Sequence, residues 1–145
     1  MAGASLPRVS GEAEVAGLSR SVKVVRDERG IVSITAGSQL DAITALGYVH
    51  GQERFFQMDL RRRTAAGRLS ELFGRATLEL DRRHLRYAFQ PTLETRFAAL
   101  PPRHRALAVA YAAGVNAGLD DLALGPPEYL LLGVSPEPWR PQDCL

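Results

Sequence analysis

From Ser38 to Ala65 the apolar residues recur with the 3.6-residue period of an α-helix. Leu40, Ile43, Gly47, Gly51, Phe55 and Met58 form one stripe, with Leu46, Val49, Phe56 and Leu60 beside it. Ser38, with Asp41 three residues on, makes a capping-box-like start. Unbroken, this helix would run about 40 Å at 1.5 Å per residue, whereas a compact body of 145 residues has a radius of gyration of about 15 Å. The helix therefore breaks near Gly47 or Gly51, or it belongs to something larger.

Ahead of the stripe lies a β-hairpin. Ser21–Arg26 and Ile31–Ala36 are β-branched runs joined by Asp27-Glu28-Arg29-Gly30, where the Asp starts a turn and the Gly takes the positive φ that closes it. Residues 1–18, rich in Gly, Ala and Ser, read as a flexible lead-in with one short extended piece near Glu12–Val15. Residues 19–145 read as one partial segment, α+β in class, a hairpin followed mostly by helices. Gly67–Gly74 forms a short helix closed by Gly74. Thr77–Phe89 carries Leu78, Leu85 and Phe89 at helical spacing, and Pro91 opens a helix ending at Leu100. Pro101-Pro102 starts another, with Ala106, Val109, Ala110, Ala113 and Ala117 on a small-residue face and Leu107, Tyr111 and Val115 alongside. Gly125–Gly133 holds a short apolar helical turn, and Pro136–Pro141 is too proline-dense for regular structure.

Several functions are excluded by composition. The one cysteine, Cys144, allows neither an intrachain disulfide nor a cysteine-based metal site. No apolar run reaches the roughly 20 residues of a membrane span, and the first twenty residues lack a signal-peptide core, so the chain as written is cytoplasmic with no membrane partner. Net charge is +2, and Lys23 is the only lysine among 18 basic residues. That balance gives no support to a nucleic-acid partner.

Candidate chemistry is sparse. His50, His84 and His104 lie on separate elements without metal-ligand spacing and read as packed, hydrogen-bonded imidazoles. No serine sits in a GxSxG elbow. Arg61-Arg62-Arg63, with Arg54 and Arg68 nearby, has Glu53, Asp59 and Glu71 interleaved at helical distances. It therefore reads as paired, partly buried struts rather than a phosphate patch. Gly47 and Gly51 let another backbone approach closely, and Trp139 reads as a packing anchor. These residues yield no catalytic and no metal-binding assignment, and the substrate-binding residues stay unknown.

Read in order, Arg26-Asp-Glu-Arg-Gly30, Gly47-Tyr-Val-His-Gly-Gln-Glu-Arg-Phe-Phe-Gln-Met-Asp-Leu-Arg-Arg-Arg63, Gly67-Arg-Leu-Ser-Glu-Leu-Phe-Gly74, Tyr111-Ala-Ala-Gly-Val-Asn-Ala117 and Trp139-Arg-Pro-Gln-Asp143 resemble the opening of penicillin acylases. These are N-terminal-nucleophile hydrolases. One local departure is Val32-Ser33, where family members commonly carry Pro-His. The resemblance implies a fragment of an αββα sandwich, from the N-terminal part of an α chain cut from a common precursor. The nucleophile would be the first serine of the β chain, with its own α-amine as base, and the substrate a small N-acyl amide of β-lactam or acyl-homoserine-lactone type. It also implies calcium in the complete enzyme, bound through a carboxylate beyond Leu145, and often a periplasmic or secreted location.

The chain stops where the next α-chain helix is expected, and Ala2 offers no nucleophile behind Met1. On this reading the arginine struts run between helix and partner chain, and the chain alone is inactive, with no cofactor of its own. The alternatives are a non-catalytic structural or binding module, a truncated gene product without function, and a helical nucleic-acid binder using Arg61–Arg63. Phe55, Phe56, Met58 and Leu130–Leu132 are expected to need partners on another chain.

Overall fold

Residues 5–145 are described in a computed structural model. The expected lead-in residues 1–4 lie outside the described residues. Residues 6–18 carry no helix or strand, the Glu12–Val15 piece included. The hairpin consists of β1 (Lys23–Arg26) and β2 (Val32–Thr35), antiparallel, with Lys23 opposite Thr35 and Arg26 opposite Val32. Its turn is made as the residue types require. Gly30 takes φ 78°, and the Asp27 carboxylate accepts from the N–H groups of Arg29 and Ile31 at 2.9 and 2.8 Å.

The long helical stripe folds as α1 (Gln39–Glu53) and α2 (Phe55–Ala66). The break is at Arg54, with φ −129° and ψ 5°, and not at Gly47 or Gly51. Both glycines stay helical because they form the contact with α6 (Pro102–Asp120), the principal packing partner of α1. A methyl group on Gly47 would collide with the Tyr111 carbonyl, and one on Gly51 with that of Val115. The facing helix answers with Gly114, which meets the Thr44 carbonyl, and Gly118, which meets that of Tyr48. Pairs of glycines four residues apart on both helices thus bring the two backbones into contact. Ser38 caps α1 as expected, its hydroxyl accepting from Asp41 N at 3.0 Å. The Asp41 carboxylate also reaches the entry segment. It accepts from the N–H and hydroxyl of Ser19 at 2.8 and 2.7 Å, tying the entry segment to α1.

The buried side of α6 is Ala112, Gly114, Val115, Gly118 and Leu119. The predicted small-residue face is misplaced, since Ala106, Val109 and Ala113 point outward. The neighbouring stripe, with Val115 wholly buried, faces α1, because the closest approach is set by the glycines.

Between these helices, α3 (Ser70–Phe73) ends at Gly74 with φ 62°. A 3₁₀ turn (Gly74–Thr77), α4 (Leu78–Leu85) and α5 (Phe89–Ala99) follow. The stretch predicted as one helix to Phe89 is interrupted at Ala88, which holds the left-handed φ of 49° between the stacked rings of Tyr87 and Phe89. The tail returns through α7 (Pro127–Leu132), closed by left-handed Gly133, and a final 3₁₀ turn (Pro141–Cys144). Its Tyr129 and Trp139 pack on Phe55, forming a core with Ala112, Val115 and Leu119. Phe55 is therefore buried within this chain, and Phe56 and Met58 pack against the same cluster. The expectation that Phe55 needs an outside partner is corrected, because Tyr129 and Trp139 cover it, whereas Phe56 and Met58 stay partly exposed. Leu130 and Leu131 do remain exposed.

Replacing Gly51 or Gly114 by Ala forces two helix backbones apart and should destabilise the fold by at least about 2 kcal/mol. Gly37→Ala, whose new methyl would sit 3.5 Å from the Arg20 side chain, should change stability by less than about 0.5 kcal/mol. Urea denaturation of the three variants checks both values.

Candidate functional site

One turn of α2 sets Asp59, Arg62 and Arg63 on a common face at i, i+3 and i+4. Asp59 is fully buried. One carboxylate oxygen accepts from Arg62 Nε and Nη2 at 2.9 and 2.6 Å, and the other from Arg63 Nε at 2.8 Å and from the Tyr129 hydroxyl. Arg62 continues across the gap to the tail. Its Nη1 donates to the Pro138 carbonyl at 2.8 Å and to Asp143 at 2.9 Å, and its Nη2 to the Glu137 carbonyl at 3.1 Å. The same guanidinium lies 5.1 Å over the Trp139 ring. Arg63 also pairs with Glu71, and Arg68 joins Glu71 and Glu137 at 2.6–3.2 Å. A planar guanidinium with five donors suits this multiple engagement, which lysine cannot reproduce.

The electrostatics follow from this geometry. Burial alone would raise the pKa of Asp59, but the hydrogen bonds from Arg63, Tyr129 and Arg62 outweigh it and hold the carboxyl below its ordinary range. Asp143 behaves alike: burial raises it, and Arg140 and Arg62 bring it down. The Tyr129 hydroxyl is pushed far up by burial and by its bond to Asp59, so it remains a donor. Asp59 and Asp143 are therefore carboxylates at neutral pH.

The struts expected at Arg62 and Arg63 are thus present, with a difference. They hold this chain's own tail. Arg61 is exposed and makes no ion pair among the described residues, and Glu53 pairs with Arg26 of β1 rather than within its helix. Trp139 is the expected anchor, its backbone N–H and C=O both bonded to the Asn116 side chain at 2.8 and 2.9 Å. The three histidines do not converge. His50 Nδ1 meets the Tyr111 hydroxyl at 2.8 Å, and burial lowers its pKa. His84 is half-buried with Nδ1 unpartnered, and His104 is exposed, so neither is the hydrogen-bonded core imidazole expected.

A second polar centre joins the lead-in to the helices. Asp121, just past α6, accepts from Arg8 Nη2 at 3.0 Å, the Tyr48 hydroxyl at 2.6 Å and Gln52 Nε2 at 2.9 Å, and Gln52 Oε1 in turn accepts from Arg8 N at 3.1 Å. Burial and the bond to Asp121 push the Tyr48 hydroxyl up to about 12. The lead-in so pinned forms, with β1 and α1, the walls of a groove of about 420 Å³. Neither centre was legible beforehand, because Tyr129, Glu137 and Asp143 reach Asp59 and Arg62 from 70 or more residues away, as Asp121 reaches Arg8 from 113. Only the Asp59–Arg63 spacing signalled a pair.

Asp59, Glu71, Glu137 and Asp143 are each bound to arginine. Among the described residues no three His, Cys, Asp or Glu side chains converge as a metal site. The calcium that the resemblance implies finds no ligand set in these residues.

The arrangement is a braced scaffold, a helical frame whose fixed corner is an arginine–carboxylate lattice. The family model described as penicillin amidase matches residues 21–145. Penicillin acylase 2 proenzyme from Pseudomonas sp. (strain SE83) is 45% identical over 98% of this chain and 18% of its own length. Acyl-homoserine lactone acylase QuiP from Pseudomonas aeruginosa is 37% identical over 96% and 16%. A thermostable penicillin G acylase from Alcaligenes faecalis superposes with TM-score 0.75 and 30% identity, over 86% of this chain and 68% of that one. The chain belongs to the penicillin amidase family, and its hairpin and helices match a fragment of the penicillin acylase fold. It spans less than a fifth of the length of those curated relatives.

Asp59→Ala would leave Arg62 and Arg63 buried without their shared partner, a change that should cost about 3–5 kcal/mol. Carboxylates whose folded pKa is depressed, here Asp41, Asp59, Asp121, Glu137 and Asp143, stabilise the fold above their unfolded pKa and lose that contribution as pH falls through the folded value. The urea midpoint should therefore hold steady from neutral pH to about 5 and drop steeply below about 4. Arg62→Ala should release the tail, seen as stronger acrylamide quenching of Trp139 fluorescence than in the parent chain.

Proposed function

We propose that this chain is the N-terminal part of the α chain of an amidase that hydrolyses the amide bond of small N-acyl substrates, with the catalytic machinery on a partner β chain. The observation that carries the proposal is 45% identity to a penicillin acylase proenzyme across 98% of the chain. Lengths support a divided enzyme. The same chain covers two thirds of a solved penicillin G acylase chain but under a fifth of the curated relatives, so that solved chain is several-fold shorter than they are.

In such an enzyme the β chain's first residue, a serine, attacks the amide carbonyl while its own α-amine takes the hydroxyl proton. With a pKa of roughly 7.7–8.0, that amine is a base available at neutral pH. The attack forms an acyl-enzyme and releases the amine, and water then releases the acid. This chain contributes no reacting group on this view. Its lattice around Asp59 would hold α2 and the tail rigid, so that the α chain presents a fixed surface to the β chain.

Penicillin acylases and acyl-homoserine lactone acylases are both among the relatives, and both names describe cleavage of an N-acyl amide. The deciding experiment co-expresses this chain with a β chain encoded in the same genome and assays a chromogenic N-acyl amide, a β-lactam and an acyl-homoserine lactone. Hydrolysis that requires both chains supports the proposal. A complex that forms but hydrolyses none of the three would point instead to a non-catalytic module.

A further inference from the structure

The two edges of a hairpin are not equivalent once its hydrogen-bond phase is known. Asp27 N donates to the Ile31 carbonyl at 3.1 Å, and the register places Val25 opposite Ser33 and Lys23 opposite Thr35. Hydrogen-bonded pairs recur at every second residue of an antiparallel ladder. Lys23, Val25 and Asp27 therefore turn their backbone groups toward β2, whereas Val22, Val24 and Arg26 turn theirs outward. Those three residues also line the groove between β1, the lead-in and α1. The unpaired donors and acceptors of β1 thus border a ready-made channel.

The channel has the character of a strand site. Its far wall is the lead-in, with Val9 and Val15, held in place by the grip of Arg8 on Asp121. Val22, Val24, Ala45 and Val49 supply apolar surface on the near side and the floor, and Arg8, Glu12 and Arg26 supply polar ends. Val22 to Arg26 spans about 13 Å of extended chain. A two-stranded sheet is marginal by itself, and a valine-bearing free edge invites pairing.

We propose that an extended segment of the partner β chain enters this groove and adds a strand to β1, bonding to the backbone of Val22, Val24 and Arg26. The partner's identity rests on the function proposed above. It is favoured over a second copy of this chain because the curated relatives are more than five times as long as the stretch matched here, leaving most of the polypeptide to supply the strand. Main-chain bonds would supply affinity and the valine walls selectivity for alternate apolar side chains.

Val24→Pro provides the test. Proline is tolerated on an edge strand where its missing N–H faced away from the ladder, so the hairpin survives while the incoming strand loses a donor. The chain and the β chain are co-expressed, and the amount of β chain retained is measured together with amide hydrogen exchange. The expected result is at least a tenfold loss of retained β chain for Val24→Pro, with the circular dichroism and melting of the α fragment unchanged. In the parent complex, exchange at Val22, Val24 and Arg26 should slow at least tenfold relative to the isolated chain.

Retention equal to the parent, or unprotected edge amides in a formed complex, would overturn the strand site. If that complex still hydrolyses N-acyl amides, the functional proposal stands without it. Protected edge amides in a complex that hydrolyses nothing would support the strand site and remove the amidase. Protection that appears in the isolated chain with rising concentration would assign the groove to a second copy and overturn the partner named here. Failure of any β chain to bind overturns it as well.

Discussion

Asp59 carries an anion in the core, and the rest of this fold is arranged to keep it there. A carboxylate with no access to water is tolerated only when it is paired and hydrogen-bonded. Two arginines from its own helix and a tyrosine from α7 meet that demand. Each arginine then brings a requirement of its own. Arg62 is satisfied by the carbonyls of residues 137 and 138 and by Asp143, and Arg63 by Glu71 and Glu137. The proline-rich tail, which has no regular structure to hold it, is thus located by charge and not by a ladder. The same demand explains why Phe55 and Trp139 meet, since the tail that carries the indole is drawn onto α2.

The α1–α6 contact works on a different principle. There the four glycines contribute no side chains and gain stability only by letting backbone touch backbone. Gly inside a helix costs about 1 kcal/mol relative to Ala, so its repeated use is sensible only where the approach could not otherwise occur. The lattice and the glycine contact sit on opposite sides of the kink at Arg54. One fixes α2 to the tail, and the other fixes α1 to α6.

Periodic signals made much of this architecture legible. The hairpin, its Asp27–Gly30 turn, the Ser38 cap and the positive-φ Gly74 that closes α3 are local, and each was marked by residues within a few positions of one another. What escaped was long-range or negative in character. The kink at Arg54 has no proline or glycine to announce it, and it arises because Phe55 must enter the core beneath Tyr129 and Trp139. The buried face of α6 was misplaced because glycine carries no hydrophobic signal, although here it marks the closest packing. For the candidate site, the i to i+4 spacing disclosed Asp59–Arg63, but nothing in composition shows that Glu137 and Asp143 return from the far end of the chain. The family resemblance rested on short blocks, and those blocks carry Asp59, Arg62, Arg63, Glu71 and Asp143 of the lattice, Gly47, Gly51 and Gly114 of the glycine contact, and Asn116 and Trp139 of the anchor.

The pinning of Arg8 by Asp121 joins residues 113 apart in sequence. During synthesis the lead-in emerges well ahead of its partner, which follows only after every helix up to α6. The hairpin is a local structure that needs no such wait. For that interval β1 exists with one wall of its groove missing, so the channel is completed from outside inward, after its edge has already been available. A strand arriving late meets a groove whose far wall is already in place, whereas one arriving before the last turn of α6 can be laid in before that wall is fixed.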